Sequence, residues 1–394
     1  MKERYPTYYE KFKCIADKCE DTCCAGWEID IDDDSYAGYM KIGGELGDRL
    51  RSCIKTNDEE GYAGHGFILT GGMRCPFLDK DNLCELYREL GESSLCEVCA
   101  NTPRNFLEYG GVREISLSAS CPEAARLIYG SPEPMAFTEH ESDETSQFDA
   151  DDIDDEMLAR FLVRQRAISI NILQDRDRTL TERADRFLDH AREVQDALNK
   201  WETNEKQSEH DSSAQMFDIT DMYSDRMTDT GFNQTPAAGT GTVTDENEFY
   251  RGFLTRMELY SGLASIGQAW ADRITLMYES FVKEPANGKA DYIRAVRGLT
   301  DYMDGEGRLY EYEHLMVYYA FLLLNRSIDD YDYLTKARLV VMSYEMNRDM
   351  DAAIWFKNGC FLKKDREENA RIYAREVEHA EENLADLYEE LLFS

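Results

Sequence analysis

Residues 14–24 read CIADKCEDTCC, so four cysteines stand within eleven residues. Ten of the eleven cysteines of this 394-residue chain lie between Cys14 and Cys121. The first twelve residues are polar and rich in tyrosine, without the apolar stretch of a signal peptide, and we therefore expect a cytoplasmic protein. Reducing conditions disfavour disulfides, whereas closely spaced thiolates bind soft metals. The sequence thus predicts a metal-binding module in the first third of the chain.

The later cysteines bear on which metal to expect. Cys121 precedes Pro122, which suits the first position of a helix and leaves the cysteine where the helix dipole favours a thiolate. Zinc sites usually pair short Cys-x2-4-Cys arms, whereas iron–sulfur proteins use uneven cysteine runs with a distant fourth ligand and an adjacent proline. The spacing favours an iron–sulfur cluster, with zinc as the alternative. The Cys-x3-Cys-x2-Cys motif of radical chemistry is absent, because Gly26 stands where the third cysteine is needed.

Residues 1–130 mix short strand-like alternations, as in residues 27–31 and 115–117, with turns and glycine clusters. This pattern predicts an irregular, cysteine-rich module. Residues 131–156 are rich in proline and acid, with ten Asp or Glu between residues 139 and 156. Because like charges repel, we predict an extended acidic linker there.

Helical periodicity begins in residues 157–202. Seven apolar residues recur there at alternating steps of four and three, which places them on one helix face: Leu180, Ala184, Phe187, Ala191, Val194, Leu198 and Trp201. Residues 203–247 lose this period in a Ser-, Thr-, Asp- and Gly-rich stretch, which predicts a flexible linker or insert. Residues 248–394 predict a C-terminal helical bundle. Its last helix carries the same apolar steps at Tyr373, Val377, Ala380, Leu384, Leu387 and Leu391.

The apolar run Leu315–Leu324 is too short to cross a bilayer. We interpret it as a buried core helix, and a shallow contact with a membrane or a partner is the alternative. The predicted fold class is therefore α+β and mainly α, with an irregular cysteine-rich metal-binding N-terminal module followed by a helical bundle.

The charge balance limits the partners. The chain has 79 acidic and 44 basic residues, which gives a net charge of −35. A surface of this sign repels phosphate backbones, so we expect no nucleic-acid partner, and no transmembrane segment is predicted. The oligomeric state is left open.

Short motifs in the cysteine region and one motif near the end of the chain form a set. They are FKC at 12–14, CEDTCCAGW at 19–27, CPFL at 75–78, Cys99 followed by PR at 103–104, SLSASCPEAAR at 116–126 and YAREVEHAEENL at 373–384. This set resembles the flagellin lysine-N-methylase family, which is related to the cysteine-rich zinc- or iron-chelating domain group.

The resemblance implies a protein lysine N-methyltransferase that uses S-adenosylmethionine (SAM), acts on a flagellin-like protein and holds a 4Fe–4S cluster. It places the metal ligands among eight cysteines: Cys14, Cys19, Cys23, Cys24, Cys75, Cys84, Cys99 and Cys121. Cys53, Cys96 and Cys360 do not match, and we interpret them as structural. Eight thiolates exceed the four that one cluster needs, so two metal sites, or one site plus buried cysteines, both remain open.

The sequence itself contains no Rossmann-type SAM site, because no strand followed by a Gly-x-Gly turn occurs within alternating β and α units. Either the amino and carboxyl groups of SAM chelate an open iron position, or the family name extends to members that bind metal and do something else. The alternative function is therefore a non-catalytic cysteine-rich zinc- or iron-binding protein whose helices bind a partner.

Candidate catalytic residues stand in the last motif. Glu378 would attract a lysine ammonium and His379 would take its proton. Glu376 and Glu378 would form part of an acidic rim, which requires the last helix to fold back near residues 19–24. The alternative is a solvated helix face on which Arg375 pairs with a neighbouring glutamate.

Two residues beside the cysteines are candidates for binding the cofactor. Trp27 would stack on the adenine of SAM and Arg104 would hold its carboxylate. A packed tryptophan and a capping arginine are the alternatives.

Overall fold

The computed structural model describes residues 1–56, 64–71, 73–142, 153–208, 245–265 and 267–392. Over these ranges the protein is mainly helical with a smaller β component, which confirms the predicted α+β, mainly α class. The strands are β1 (Lys2–Pro6), β2 (Asp30–Ile31), β3 (Ile54–Thr56), β4 (His65–Phe67), β5 (Arg104–Tyr109), β6 (Val112–Leu117) and β7 (Phe137–Glu141). The helices before residue 209 are α1 (Asp33–Tyr39), α2 (Gly44–Ser52), α3 (Glu85–Leu90), α4 (Glu97–Asn101), α5 (Pro122–Ile128), α6 (Ile153–Leu173) and α7 (Leu180–Ser208). The helices after residue 244 are α8 (Glu246–Gly262), α9 (Gln268–Phe281), α10 (Pro285–Gly305), α11 (Tyr310–Leu323), α12 (Ser327–Asp330), α13 (Tyr333–Asn358), α14 (Lys363–Glu378) and α15 (Glu381–Leu392).

The larger sheet has the strand order β5–β6–β1–β7. Strand β1 runs parallel to β6 and antiparallel to β7, with Pro6 opposite Phe137. Strands β5 and β6 form a hairpin around Gly110 and Gly111, whose φ angles of 49° and 74° lie in the left-handed region that glycine tolerates best. The smaller sheet, in the order β2–β4–β3, belongs to the cysteine-rich part of the chain.

The described residues form two hydrophobic cores. The smaller core contains Phe67, Phe77, Cys75 and Cys96 with other side chains from residues 29–86. The larger core joins the helices after residue 153 to the sheet and to α5, through buried residues such as Leu117. Residues 1–12 and 104–130 therefore pack with the helices. The cysteine-rich part is the segment of the chain between β1 and β5.

The periodic apolar residues of α7 lie on the buried face that the sequence predicts. Six of the seven are buried, and Leu180 packs against the same core. The core-helix interpretation of the run Leu315–Leu324 is also confirmed, because α11 is buried around almost its whole circumference. No helix of the described ranges is long and apolar enough to span a membrane.

The linker predicted for residues 131–156 is wrong in its first part. Phe137–Glu141 forms strand β7, and Glu139 pairs there with Lys2 and Arg4 of β1, so cross-strand ion pairs offset the repulsion that the composition suggests. Residues 143–152 of this segment lie outside the described residues. Residues 209–244 of the linker or insert predicted for 203–247 also lie outside the described residues. The first residues of that predicted segment continue helix α7.

The single last helix predicted through residues 373–391 is also wrong. Helix α14 ends at Glu378, His379 leaves the helical conformation with φ −107° and ψ 2°, and α15 begins at Glu381. The amide of Asn383 fills the break, since its Nδ2 donates to the Glu376 carbonyl at 2.9 Å. The apolar pattern continues across the break because both helices pack on the same core.

Candidate active site

The C-terminal end of α14 meets the cysteine loop, which we define as residues 14–27. The ring of His379 stacks on the indole of Trp27, with centroids 4.8 Å apart and planes at 24°. One turn earlier, the Arg375 guanidinium donates to the Ala25 carbonyl. The condition that the end of the chain folds back onto residues 19–24 is therefore met.

Glu378 accepts hydrogen bonds from three hydroxyl groups. Ser118 Oγ lies 2.7 Å from its Oε2, the Tyr318 hydroxyl lies 3.0 Å from both carboxylate oxygens and the Tyr319 hydroxyl lies 3.1 Å from Oε1. The Tyr318 hydroxyl also accepts from the Ala119 backbone N–H at 3.0 Å, so its own proton points to Glu378. The carboxylate is thus held between the end of β6 and helix α11.

His379 is bonded to the same segment. Its Nε2 lies 2.8 Å from Ser120 Oγ and 3.0 Å from Ser118 Oγ, and the two serine hydroxyls are 2.8 Å apart. We call Ser118, Ser120, Tyr318, Glu378 and His379 the hydroxyl–carboxylate cluster. It joins three parts of the chain that are far apart in sequence.

The surroundings shift both titratable groups of this cluster. Burial raises the pKa of Glu378 to about 7, although its hydrogen bonds to Ser118, Tyr318 and Tyr319 favour the ionised form and oppose the shift. Burial, together with the positive charge of Arg375, lowers the pKa of His379 to about 4. At neutral pH the histidine is therefore uncharged and the carboxyl group is close to its midpoint, which suits proton transfer.

An ionic contact fixes the cysteine loop against α14. Asp21 pairs with Arg371 and with Arg375, whose Nη1 lies 2.9 Å from the carboxylate. Gly26, with φ 101°, lies so close to Arg375 that a Cβ would stand 2.6 Å from Nη2. The alternative of a solvated helix face is thus wrong, because Arg375 pairs with Asp21 and contacts the loop.

The position of Glu376 corrects the predicted acidic rim. Its side chain is 2% exposed, and it accepts a hydrogen bond from the Gly267 backbone N–H at 3.1 Å, on a different side of α14 from Glu378. Residues two positions apart on a helix point about 160° away from each other, so Glu376 faces away from the partners of Glu378 and cannot share a rim with it.

The structure gives both candidate cofactor residues partners within the chain. Trp27 carries His379 on its ring and the Arg375 guanidinium 5.5 Å from the ring centroid. Arg104 donates from Nε to the Tyr9 hydroxyl at 3.1 Å and lies over the ring of Phe12, so it is not a helix cap. A role of either residue in binding SAM stays a prediction.

The cysteines fall into two neighbourhoods. Cys121 interacts with Cys19 and with Cys23, Cys19 interacts with Cys14, and burial raises the pKa of the Cys121 thiol to about 11. The second neighbourhood contains Cys24, Cys53, Cys75, Cys84, Cys96 and Cys99, and a thiol hydrogen bond between Cys23 and Cys24 links it to the first. In it, burial raises the pKa of Cys75 to about 11, and the hydrogen bond that the Cys99 thiol donates to Cys96 holds the pKa of Cys99 far above its ordinary value.

These two neighbourhoods bear on metal binding in two ways. A set made of thiols is the donor chemistry that iron–sulfur clusters and zinc prefer, and a metal cation would offset the cost of ionising buried thiols. Within the described part of the chain, however, no group of three or more Cys, His, Asp or Glu side chains converges as a metal site. Cys96, which we interpreted as structural, shares its thiol hydrogen bond with Cys99, and the Cys96-x2-Cys99 spacing is the signal for this.

Ser118, Ser120, Tyr318 and Tyr319 were not predicted as site residues. The two serines stand in the SLSASC motif of the resemblance, in which the cysteine is the residue with a clear chemical signal. The two tyrosines stand in an apolar run that reads as plain core. Only the fold shows that their hydroxyls meet Glu378.

Comparison with known protein families gives a match to this chain. The family model described as the FliB lysine N-methylase C-terminal domain matches residues 166–393, which is more than half of the chain. The chain belongs to the FliB lysine N-methylase family. The matched region contains Glu378, His379, Tyr318 and Tyr319, and it starts after the cysteine motifs of this FliB-family protein.

Curated relatives match a smaller part of the FliB-family chain. It is 31% identical over 139 residues to Lysine-N-methylase of Salmonella typhimurium, and this alignment covers 34% of each protein. It is 29% identical over 142 residues to Flagellar biosynthetic protein FliU of Salmonella muenchen, covering 35% of this chain and 82% of that protein. The chain thus spans about a third of the length of the Lysine-N-methylases that it matches. No solved structure matches it.

Proposed function

We propose that this FliB-family protein is a protein lysine N-methyltransferase that transfers methyl groups from SAM to lysines of a flagellin-like protein. One observation carries the proposal: the end of α14 stacks His379 on Trp27 of the cysteine loop, next to Glu378 in the hydroxyl–carboxylate cluster. Two separate motifs of the family resemblance thereby contribute to one site. Two curated relatives are named Lysine-N-methylase, which supports the same reaction class.

The chemistry of lysine methylation fits the residues at this site. A lysine amine is protonated at neutral pH and must lose its proton before the nitrogen can attack a methyl carbon. Glu378 would attract the ammonium group, and the net charge of −35 would draw a basic substrate segment toward the protein. Glu378 and His379 would then prepare the amine.

We further propose that cysteines of the two neighbourhoods hold a 4Fe–4S cluster. When bound, such a cluster would supply an iron position for the amino and carboxyl groups of SAM. The sequence contains no Rossmann-type motif that would bind SAM in another way. The eight cysteines that match the family are the candidate ligands. Trp27 and Arg104 would contact the adenine and the carboxylate of SAM.

Anaerobic purification followed by analysis of iron, sulfide and zinc tests the cofactor. We expect a brown protein with visible absorption that bleaches in air, because charge transfer from thiolate to iron requires intact Fe–S bonds. A colourless protein with stoichiometric zinc would support the alternative of a non-catalytic zinc-binding protein with a partner-binding helical region.

A methylation assay with a flagellin-like protein tests the reaction. Glu378→Gln combined with His379→Ala should lower the rate by at least about 100-fold, the usual scale for losing acid–base catalysis, while iron content stays unchanged. Glu382→Gln is the matched control, because Glu382 is exposed on α15. Equal rates in the double variant and the control would remove Glu378 and His379 from the site.

A further inference from the structure

Ser118 stands between the two titratable residues of the hydroxyl–carboxylate cluster. Its Oγ lies 2.7 Å from Glu378 Oε2 and 3.0 Å from His379 Nε2. Ser120 Oγ offers a second contact to the same ring nitrogen at 2.8 Å and lies 2.8 Å from Ser118 Oγ. Every hydrogen-bonded path from the histidine to the carboxylate through these two serines therefore passes through Ser118.

The hydrogen bonds define which way protons can move. The Ser118 hydroxyl donates to Glu378, so its lone pairs face His379 and the Ser120 backbone N–H. The other histidine nitrogen, Nδ1, has no hydrogen bond to any described residue, and the ring is only partly buried at the end of α14. Because serine hydroxyls both donate and accept, they satisfy Nε2 whether or not it carries the proton.

We propose that Ser118 relays the ammonium proton of the substrate lysine from His379 to Glu378. This inference rests on the proposed function and deepens it. The lysine N–H bond breaks and its proton goes to His379 Nδ1, the Nε2–H proton goes to Ser118 Oγ, and the Ser118 proton goes to Glu378 Oε2. The lysine becomes a neutral amine, Glu378 becomes a carboxylic acid, and His379 stays neutral with its proton on the other nitrogen.

The electrostatic surroundings agree with Glu378 as the final acceptor. The groups that face the pair are Tyr8, Tyr129, Tyr318, Tyr319 and Tyr373 around Glu378, and Arg375 beside His379. Arg375 disfavours a charged His379, so a proton that arrives there is passed on. Burial raises the pKa of Glu378 to about 7, so this carboxyl group can take up a proton near neutral pH and release it later.

The pH dependence of Ser118→Ala separates a relay from a merely structural role. Raising the pH from 7 to about 9.5 increases the free amine of a lysine roughly 300-fold, so that about one lysine in ten then arrives already deprotonated and needs no relay. We expect Ser118→Ala to lower kcat about 100-fold at pH 7 and less than about 5-fold at pH 9.5, with KM nearly unchanged. Ser120→Ala should lose less than about 5-fold at either pH, because the direct contact between His379 and Ser118 remains.

Ser116→Ala is the matched control, since Ser116 is a buried serine two residues earlier on β6. Circular dichroism and iron content verify that each variant is folded and loaded. If Ser118→Ala does not fold, His379→Gln removes the entry point of the relay at a less buried position and should show the same pH-dependent loss. An equal loss at both pH values, or wild-type rates in Ser118→Ala, would overturn the relay and leave the methyltransferase intact. Wild-type protein that methylates nothing at any pH would instead overturn the proposed function, and the relay with it.

Discussion

Residues 29–96 pack around nine buried core side chains, two of which are cysteines, whereas the helical part encloses many large aromatic residues. Of the twelve largest fully buried side chains in the described ranges, only Phe77 belongs to the cysteine-rich part. Conversely, five of the ten exposed large hydrophobic residues in the described ranges lie in the cysteine-rich part, between residues 68 and 98. The cysteine-rich part therefore gains less from hydrophobic burial, and the proposed metal–thiolate bonds would add to its stability.

Buried ion pairs sharpen the contrast between the two parts. In the helical part, Arg256 donates to Asp349 at 2.8 Å, and Arg366 pairs with Asp351 in the interior. Such pairs are costly to break once they are desolvated, so they tie helices to one arrangement. The cysteine-rich part has thiols at its centre where the helical part has these pairs.

Loss of metal should have the largest effect. Cys23→Ser or Cys121→Ser should lower metal content and loosen the cysteine-rich part, since structural metals contribute on the order of 10 kcal/mol to folding. Hydrogen exchange should then rise over residues 14–101 and stay low in the helices after residue 245. Cys360→Ser is the control. Unchanged metal content in both variants would contradict the ligand assignment.

A cavity in the helical core should come second. Phe253 is fully buried and stacks on Tyr292 with ring centroids 4.3 Å apart. Phe253→Ala should therefore lower the free energy of unfolding by about 4 kcal/mol, measured by denaturant titration. Leu254→Ala, at a residue that is 36% exposed, should cost far less. Equal losses in the two variants would contradict the described packing.

The pH dependence of stability tests the burial of Glu378 and His379 at the end of α14, where the helical part meets the cysteine loop. In the folded protein the pKa of Glu378 is raised to about 7. Ionisation of Glu378 therefore lowers the free energy of unfolding as the pH rises from about 4.5 to 7, by up to about 3 kcal/mol. In the folded protein the pKa of His379 is lowered to about 4, so protonation of His379 lowers the free energy of unfolding as the pH falls from 6.5 to 4. Glu378→Gln removes only the pH dependence that Glu378 causes. In urea titrations this variant should therefore gain stability relative to wild type as the pH rises from 5 to 7. A constant difference between the two proteins across this range would refute the raised pKa.

The smallest expected effect concerns the ionic contact of the cysteine loop. Asp21→Asn leaves Arg371 and Arg375 without their shared, largely buried carboxylate and should lower the free energy of unfolding by about 2 kcal/mol. Trp27 fluorescence should change as well, because its ring packs on His379. Asp17→Asn, at an exposed position of the same loop, should have little effect. If both variants behave alike, Asp21 does not hold the loop to α14.

The helices were the predictable part of the fold, because burial repeats with the helical period. Phe187 and Val194 show this, since both lie on the buried face of α7 that their spacing predicts. Strand β7 was not predictable from local composition, because the charges that neutralise Glu139 lie more than 130 residues earlier in the chain. The break at His379 was not predictable either, because the apolar period continues across it.

The site was predictable only as separate pieces. The motifs identified the cysteines, Glu378 and His379, because each stands in a short stretch of unusual composition. The partners of Glu378 are a serine that ends a strand and tyrosines in an apolar helix, and neither is unusual locally. Their meeting depends on packing between β6, α11 and α14, which no local pattern encodes.

The hydrogen bond from Ser118 to Glu378 joins residues 260 positions apart, and the pair of Asp21 with Arg371 joins residues 350 positions apart. Contacts of such separation close very long loops, so they form late in folding, after the local helices and hairpins. The hydroxyl–carboxylate cluster is therefore assembled only when both ends of the described chain have reached their final positions. A half-folded chain has every residue of the site and none of its geometry, which confines any chemistry there to the completed fold.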